Sequence, residues 1–322
     1  MLDALKFVNR ATANKSTIHA YTHICVHDGK IQGSDSKMAI ECDCPELAGC
    51  EFTVPADKFI KAVSACDNQP KVTINAEGVV KVSYKRFRAN MPSLNVADYP
   101  RTNFDDEHSQ VVAAPENLGA TLSALLPFIS QDTSRPWSQG IWISDGYAYA
   151  TNNVILVRSP IDWPHEAINI PEYAVRELTM INKTPVSLSI SKNSIGVSYE
   201  GAWFKAQLYQ NPWPQSVSGM FDKKAGEMID VPAELLPSIE KLIPFCLDEK
   251  TKTIYFKGSE ISTADGAQSA QVELDWDGVG AYQAGHLQLV LGVAKRWTPS
   301  AYPAAVFFEG ENIEGVFVGV RQ

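Results

Sequence analysis

The feature that most constrains the fold is an internal repeat with a period of about 115 residues. Residues 24–29 (ICVHDG) and 33–35 (GSD) are matched 117 positions later by residues 141–146 (IWISDG) and 150–152 (ATN). A fainter third copy begins at residues 254–258 (IYFKG). Because a fixed period indicates a repeated structural unit, we expect three copies of one domain.

Further matches have nearly the same spacing. Residues 54–55 (VP) correspond to residues 170–171 (IP), and residues 125–128 (LLPF) correspond to residues 242–245 (LIPF). A chain of 322 residues has room for three small domains of about 110 residues each. The predicted domains are residues 1–108, 109–222 and 223–322.

Each copy has the same order of secondary structure, which predicts an α+β fold. An amphipathic segment is followed by a hairpin that turns at Asp-Gly or Lys-Gly, then by a second amphipathic segment and two alternating strands. Two helices on one face of an antiparallel sheet form a stable layered unit. The first helices are predicted at residues 2–12, 115–129 and 232–246, and the second at 55–66, 171–183 and 283–296.

The composition is that of a folded protein with an acidic surface. With 45% hydrophobic and 20% charged residues, the chain has enough apolar material for packed cores. No apolar run reaches the ~18 residues of a membrane helix, and the first residues show no cleavage signature, so we expect a cytoplasmic location. The net charge of −9 disfavours tight wrapping of nucleic acid but allows a local basic lining.

Cysteines and histidines suggest a metal site, but their spacing favours structural roles. Cys42 and Cys44 lie in an alternating segment typical of the buried face of a strand, with metal binding as the alternative. His19, His23 and His27 are spaced by four residues, as helical zinc ligands would be. Alternation over residues 18–26 predicts a strand, where residues four apart lie about 13 Å apart. We therefore predict no metal site and no cofactor.

The sequence also lacks the motifs of common enzymes. It contains no nucleophile elbow, phosphate-binding loop, zinc-protease helix or dinucleotide fingerprint. Asp28 and Asp145 each precede a glycine in a predicted turn, where aspartate is favoured for its side-chain hydrogen bonds. We therefore expect a protein without catalytic activity.

Two segments carry a resemblance to a known family. Residues 86–87 (RF) lead through residues 91–92 (MP) to residues 97–100 (ADYP) at the end of the first copy. In the second copy, residues 130–136 (SQDTSRP) precede the strand-like residues 140–143 (GIWI). Together with the three tandem units, these segments resemble the bacterial DNA polymerase III beta sliding clamp, a processivity factor, in a shortened form of the kind that phages encode.

The resemblance implies a ring built from two chains. In this family two three-domain chains join head to tail, and helices line a hole through which duplex DNA passes. Such a ring holds a polymerase on its template by topology, so it needs no sequence readout. The implied partners are duplex DNA, a DNA polymerase, a clamp loader and a second copy of the chain, with no membrane. The implied location is the bacterial cytoplasm, or the host cytoplasm for a phage protein.

The lining of the hole can be assigned by position. The predicted helices carry a small excess of basic residues although the whole chain is acidic. Ordinary solvated helix faces are the alternative explanation. The residues predicted to face DNA are Lys6, Arg10, Lys15, Lys58, Lys61, Arg135, Lys295 and Arg296.

The family binds partner peptides in a cleft between its second and third domains. Alternating valines near the C-terminus could offer apolar side chains to a short peptide, or could only complete a sheet core. The sequence departs from the family at residues 151–153 (TNN) and in the final residues 318–322 (VGVRQ), which bears on the identity of the peptide. The residues carried over to the cleft are Thr151, Val154, Ile155, Leu156, Pro214, Met220, Val318, Val320 and Arg321.

The resemblance also assigns a contact between subunits. Phe87 and Ala89 lie in an alternating segment that predicts an edge strand, and they would meet Phe245 and Cys246 of the other chain. Phe87 as an ordinary core residue is the alternative.

A second possible function is a clamp-like scaffold that presents a peptide cleft without closing a ring on DNA.

Overall fold

The computed structural model describes residues 1–246, 252–264 and 269–321. The α-helices are α1 (Leu2–Asn9), α2 (Ala56–Ser64), α3 (Leu118–Leu125), α4 (Glu172–Met180), α5 (Gln215–Ser218), α6 (Leu235–Leu242) and α7 (Ala284–Leu291). The strands are β1 (His23–His27), β2 (Lys30–Ser34), β3 (Met38–Asp43), β4 (Phe52–Pro55), β5 (Lys71–Ile74), β6 (Val79–Tyr84), β7 (Phe87–Pro92), β8 (Gln110–Ala113), β9 (Gly140–Ser144), β10 (Tyr147–Thr151), β11 (Ile155–Pro160), β12 (Ile168–Pro171), β13 (Ser187–Ile190), β14 (Ser194–Tyr199), β15 (Ala202–Gln207), β16 (Ile229–Asp230), β17 (Thr253–Ser262), β18 (Gln271–Gln283), β19 (Ala294–Trp297), β20 (Ala305–Gly310) and β21 (Glu314–Val318).

The chain divides into two compact units, and the α+β fold class is confirmed. Unit 1 combines Met1–Glu116 with Glu177–Leu208, and unit 2 combines Asn117–Arg176 with Tyr209–Gln322. Each unit therefore joins strands of two predicted domains. The division into three domains at residues 108 and 222 stays a prediction.

Unit 1 is built on an eight-stranded antiparallel sheet with the order β4-β1-β2-β3-β15-β14-β13-β8. The two halves of this sheet join where β3 pairs with β15, so that Ala39 lies opposite Lys205. Helix α1 contacts β2, β3 and α2, and Leu5 and Val8 are fully buried. A separate three-stranded sheet, β5-β6-β7, places β7 at its edge.

The eight-stranded sheet of unit 2 repeats that of unit 1 strand for strand, whereas the second sheet of unit 2 has two described strands instead of three. Its eight-stranded sheet has the order β12-β9-β10-β11-β21-β20-β19-β16, and β11 joins β21 where β3 joins β15 in unit 1. Helices α6 and α7 pack against each other and contact the hairpin β17-β18. The core under this hairpin is aromatic, with Trp297 fully buried among Phe256, Trp276, Tyr282 and Phe317.

Local turn chemistry explains two of the three predicted hairpins. Asp28 and Asp145 both adopt positive φ of 51°, and each is followed by a glycine with positive φ, as in tight hairpin turns. The third predicted turn is wrong. Gly258 has a φ of 64° but lies inside the ten-residue strand β17, next to an irregularity in the pairing with β18. Strand pairing over a longer register overrides the local turn signal.

Several predicted boundaries also need correction. Helix α7 ends at Leu291, so Lys295 and Arg296 lie on β19 rather than on a helix. Residues 19–22 form a short 3-10 helix, and β1 begins only at His23. The predicted strand from residue 18 was therefore too long.

The cysteines predicted to be structural lie in the core. Cys42 and Cys44 are buried, and burial raises the pKa of each thiol to about 12, so both stay protonated at neutral pH. Among the described residues, no three His, Cys, Asp or Glu side chains converge as a metal site would require. None of the helices in the described residues, 1–246, 252–264 and 269–321, is both long enough and apolar enough to span a membrane.

Candidate partner-binding pocket and basic helices

A tight turn after β10 supplies one wall of a pocket in unit 2. The Oγ1 of Thr151 donates to the carbonyl of Ile155 at 2.8 Å. The side-chain oxygen of Asn152 accepts from the backbone N–H groups of Val154 and Ile155 at 3.1 and 2.8 Å. Asn153 completes the turn with a φ of 72°, a conformation that asparagine tolerates better than most residues. These hydrogen bonds brace the turn, which places Val154 in the lining of the pocket.

The pocket has a volume of about 360 Å³ and a mainly apolar lining. Its floor is the cross-strand pair Leu156 and Val316, on neighbouring strands β11 and β21. The opposite wall comes from the segment around α5, which contributes Val217 and Met220. A concave apolar site of this kind suits the apolar side chains of a short peptide.

An aromatic cluster supports the pocket from below. Trp213 is 7% exposed and contacts Trp137 edge-to-face and Trp142 in a stacked arrangement, at ring-centroid distances of 5.2 and 6.2 Å. Tyr149 also contacts Trp213, and burial raises the pKa of its phenol. Aromatic pairs of this geometry fix ring positions. The segment that carries the α5 wall is thereby anchored to the sheet.

Arg158 ties the same segment to two strands. Its guanidinium lies 4.3 Å from the ring centroid of Tyr147 and 4.2 Å from that of Phe221, between the two rings. Its Nε donates to Glu314, directly opposite on β21, at 2.7 Å. Phe221 follows Met220, so Arg158 helps to fix the methionine that lines the pocket.

The structure brings together five of the nine residues predicted for the cleft. The four others lie elsewhere. Ile155 is fully buried in the core because it points to the opposite face of β11. Pro214 is the N-cap residue of α5 and does not line the pocket. Val320 and Arg321 line a different cavity, beside Gly280. The five that line the pocket are Thr151, Val154, Leu156, Met220 and Val318.

Sequence reasoning missed several lining residues. Arg135 was predicted to face DNA, but it lies at the pocket, where its guanidinium donates to Asn153 at 3.1 Å. The period-two pattern that selected Val318 also selects Val316, and this signal was available in the sequence. Trp137 and Val217 had no comparable signal, because nothing local indicates which loops surround a sheet. The further lining residues are Trp137, Asn153, Ser216, Val217, Val316 and Phe317.

The basic residues predicted to face DNA fall into separate groups. Lys6, Lys58 and Lys61 are exposed on α1 and α2, which pack together in unit 1. Arg10 follows α1 and forms an ion pair with Glu177 at 2.7 Å. Lys61 pairs with Asp57 on its own helix. Their charges are thus partly neutralised within the chain.

The basic excess predicted for the helices is not found. Within the observed bounds of the α-helices, acidic and basic residues are equal in number. Lys15, Lys295 and Arg296 lie outside those bounds, and Lys295 and Arg296 pair with Glu311 and Glu309. The prediction extended the helices into flanking residues that carry the positive charge.

The residues predicted for the subunit contact lie at accessible positions. Phe87 and Ala89 are half-buried on the edge strand β7, and Phe245 is 46% exposed after α6. Cys246 is half-buried, with its Sγ 3.8 Å from the carbonyl oxygen of Thr253. Phe87 is therefore not a fully buried core residue.

Solved structures with the same fold match the whole chain. The DNA polymerase sliding clamp from Bacillus subtilis gives a TM-score of 0.85 at 17% identity, covering 100% of this chain and 97% of that one. The beta subunit from the DNA polymerase of Streptococcus pyogenes gives the same values, and the DNA polymerase III subunit beta from Pseudomonas aeruginosa gives 0.84 at 15%. No protein-family model and no curated protein matches the sequence. The chain therefore has the fold of the bacterial DNA polymerase sliding clamps.

Proposed function

We propose that the protein is a DNA sliding clamp, a non-enzymatic ring that encircles duplex DNA and tethers a replicative polymerase. The observation that carries the proposal is the full-length match to polymerase clamps, which covers 97% of their chains at TM-scores up to 0.85. A function based on topology depends on overall architecture more than on particular side chains. It is therefore compatible with an identity of only 17%.

The charge distribution suits a ring that slides. Tight phosphate contacts would make the ring a static, salt-sensitive binder. The exposed Lys6, Lys58 and Lys61 of α1 and α2 can attract the duplex, while the Arg10–Glu177 and Lys61–Asp57 pairs weaken that attraction. We infer a loose, sequence-independent contact with DNA. The acidic surface elsewhere repels DNA, so the contact stays confined to the basic residues of α1 and α2.

The unit 2 pocket is the inferred docking site for the polymerase and for a clamp loader. Its apolar floor and walls fit one or two large apolar side chains of an extended peptide. Arg135 at the pocket offers a hydrogen-bond donor to a peptide carbonyl or carboxylate. A protein with this role acts where DNA is replicated, in the cytoplasm of a bacterium.

Ring closure is inferred to use the subunit contact predicted from the sequence. The edge strand β7 has β6 on one side, and its free side can pair with a strand of a second chain. Phe87 and Ala89 on this strand would then pack near Phe245 and Cys246 of the partner. Two chains would close one ring.

A threading experiment tests the proposal without a loader. Linear duplex DNA with biotin at both ends is incubated with the protein, and streptavidin then blocks the ends. A closed ring stays on the blocked DNA in high salt and leaves after a restriction enzyme cuts the duplex. In the control, streptavidin is added before the protein, and no ring can thread.

Variants separate a ring from other binding modes. Phe245→Asp is expected to abolish salt-resistant retention, whereas Val186→Asp, at another exposed position, retains it. Retention that does not depend on the order of blocking would mean ordinary DNA binding. A protein that never becomes salt-resistant on blocked DNA would contradict the clamp proposal and favour a scaffold that does not close on DNA.

A further inference from the structure

Unit 1 contains a cavity of about 230 Å³ at the position that corresponds to the unit 2 pocket. The two eight-stranded sheets have the same strand order, and the turn after β2 corresponds to the turn after β10. The cavity lies beside the junction of β3 and β15, as the pocket lies beside the junction of β11 and β21. We call it the unit 1 pocket.

The turns that frame the two pockets share their hydrogen bonds. In unit 1 the Oγ of Ser34 donates to the carbonyl of Met38 at 3.2 Å, as Thr151 donates to Ile155. The carboxylate of Asp35 accepts from two backbone N–H groups at 2.9 Å each, as Asn152 does. Ser36 has a φ of 78°, close to the 72° of Asn153. The same backbone frame is therefore built twice.

The linings differ in chemistry. At the floor, the apolar pair Leu156 and Val316 of unit 2 is replaced in unit 1 by Ala39 opposite Lys205. At the mouth, Lys37 occupies the turn position of Val154. Arg101 adds a third cationic side chain, and no acidic residue lines the cavity.

Lys205 shows that the positive charge is built into the structure. The residue is only 8% exposed, and its Nζ donates to the carbonyl of Asn103 at 3.0 Å and to Asp106 at 3.2 Å. Burying an ammonium group is costly unless such partners surround it. Asp106 lies outside the lining and offsets part of this charge, as Asp35 does at the turn. Among the described residues, Arg101 forms no ion pair.

We propose that the unit 1 pocket is a second docking site, which binds an acidic segment of a protein partner through its Asp or Glu carboxylates. A carboxylate at the mouth would accept two parallel hydrogen bonds from the guanidinium of Arg101, and the positive charge of Lys37 in the same lining adds to the attraction. Ala39 and Met38 give the lining an apolar part that suits a neighbouring apolar side chain of the peptide. The proposal does not depend on the clamp function.

An acidic peptide fits this site better than a nucleic acid. The cavity is concave and small, with a volume of about 230 Å³. A nucleic-acid backbone needs an extended basic groove. A peptide carboxylate needs only two or three converging donors in a frame like that of the apolar pocket.

Methionine methyl groups report on the two pockets separately. Met38 lines the unit 1 pocket and Met220 lines the unit 2 pocket. We would titrate the full-length protein, labelled with 13C at its methionine methyl groups, with the capped peptide acetyl-Ala-Asp-Leu-Glu-Ala-amide. The expected result is a saturable shift of the Met38 signal and no shift of the Met220 signal. The matched peptide with Asn and Gln in place of Asp and Glu should leave Met38 unchanged.

Surface variants test the assigned side chains without risk to the fold. Arg101→Gln should weaken binding of the acidic peptide about tenfold, since it removes a charged donor. Lys37→Gln should weaken binding by a smaller factor, since it removes only a nearby positive charge. Lys71→Gln, an exposed change on β5 of the same unit, should leave the affinity unaltered.

Four results would overturn the proposal. They are an unchanged Met38 signal, an equal response to the neutral peptide, a response of Met220 instead, and a response to inorganic phosphate or to a short DNA duplex but not to the peptide. An unchanged Met38 signal would mean that Lys205 only fastens the segment around Asp106. Because the threading experiment measures ring closure alone, its failure and the failure of this proposal are distinguishable.

Discussion

We predict that Arg158 stabilises the wall of the unit 2 pocket that the segment around α5 forms, more than any other polar residue does. Its guanidinium lies between Tyr147 and Phe221 and pairs with Glu314. The side chains of Arg158 and Glu314 are 21% and 28% exposed, so solvent screens the pair only in part. The replacement Arg158→Met keeps the length and apolar stem but removes both the cation–π contacts and the ion pair.

The expected cost follows from these contacts. Two partly desolvated cation–π contacts contribute about 0.5–1 kcal/mol each. An ion pair at this exposure contributes about 0.5–1 kcal/mol. Arg158→Met should therefore lower the free energy of unfolding of unit 2 by about 2 kcal/mol. With a urea dependence of about 2 kcal/mol per molar, the unfolding midpoint should fall by about 1 M.

Tryptophan fluorescence is a suitable probe because the tryptophans are unevenly divided between the two units. Trp203 lies in unit 1, whereas all other tryptophans, including Trp137 and Trp213, lie in unit 2. The signal therefore reports mainly on the unit that contains Arg158. The control Lys241→Met removes an exposed charge from α6 of the same unit and should leave the midpoint nearly unchanged.

A double-mutant cycle with Glu314→Gln separates the ion pair from the ring contacts. We expect a coupling energy of about 0.5–1 kcal/mol between the two positions. Most of the effect of Arg158→Met should persist in the Glu314→Gln background, since the rings remain. If Arg158→Met shifts the midpoint no more than Lys241→Met, the guanidinium does not hold the pocket wall and the reasoning fails.

Three further outcomes are expected. Phe245→Asp should weaken dimer association by at least about 100-fold, since it buries an unpaired charge in the subunit contact. Light scattering over a concentration series measures this, and a variant with the same mass as the wild type would contradict the assigned contact. Burial lowers the pKa of His23, so its neutral form favours the fold, and this contribution to stability is complete above the unfolded pKa of 6.5 and declines as the pH falls below it. His23→Gln should reduce this decline in pH-dependent urea unfolding, and His286, whose pKa burial also lowers, should account for part of what remains. Gly33→Ala would place its Cβ 2.3 Å from the carbonyl oxygen of Val8 on α1, so we expect a loss of about 1–3 kcal/mol in thermal unfolding, while Gly119→Ala, with open space around it, should lose none.

Much of the fold could be predicted because its signals are local. The tight turns at Asp28 and Asp145 need positive φ at two successive residues. Aspartate tolerates this conformation, and the glycine that follows each aspartate adopts it readily. The helices follow from apolar spacing, although their ends were placed too far out. The end of α7 was missed because residues 292–296 continue an apolar and basic pattern that suits a helix as well as the strand β19.

The candidate pocket was predicted only in part, for a geometric reason. Thr151, Val154 and Leu156 follow one another in a single turn and strand, so one correct alignment places them all. Trp137, Val217 and Val316 reach the pocket from other elements, and their meeting depends on how the sheet is assembled. Val320 alternates with Val318 in sequence, but its backbone N–H bonds to Ala281, where the chain has left β21.

The sequence by itself determined the repeated unit, its α+β content and the alternation of buried and exposed positions, because these depend on contacts between near neighbours in the chain. Only the tertiary structure decided that β3 pairs with β15 and β11 with β21, which joins strands of different predicted domains into continuous sheets. Such pairings lie more than 150 residues apart, and backbone hydrogen bonds between strands carry no residue identity. The same junctions place Val316 in one pocket and Lys205 in the other, so the chemistry that distinguishes the two sites is set by long-range pairing.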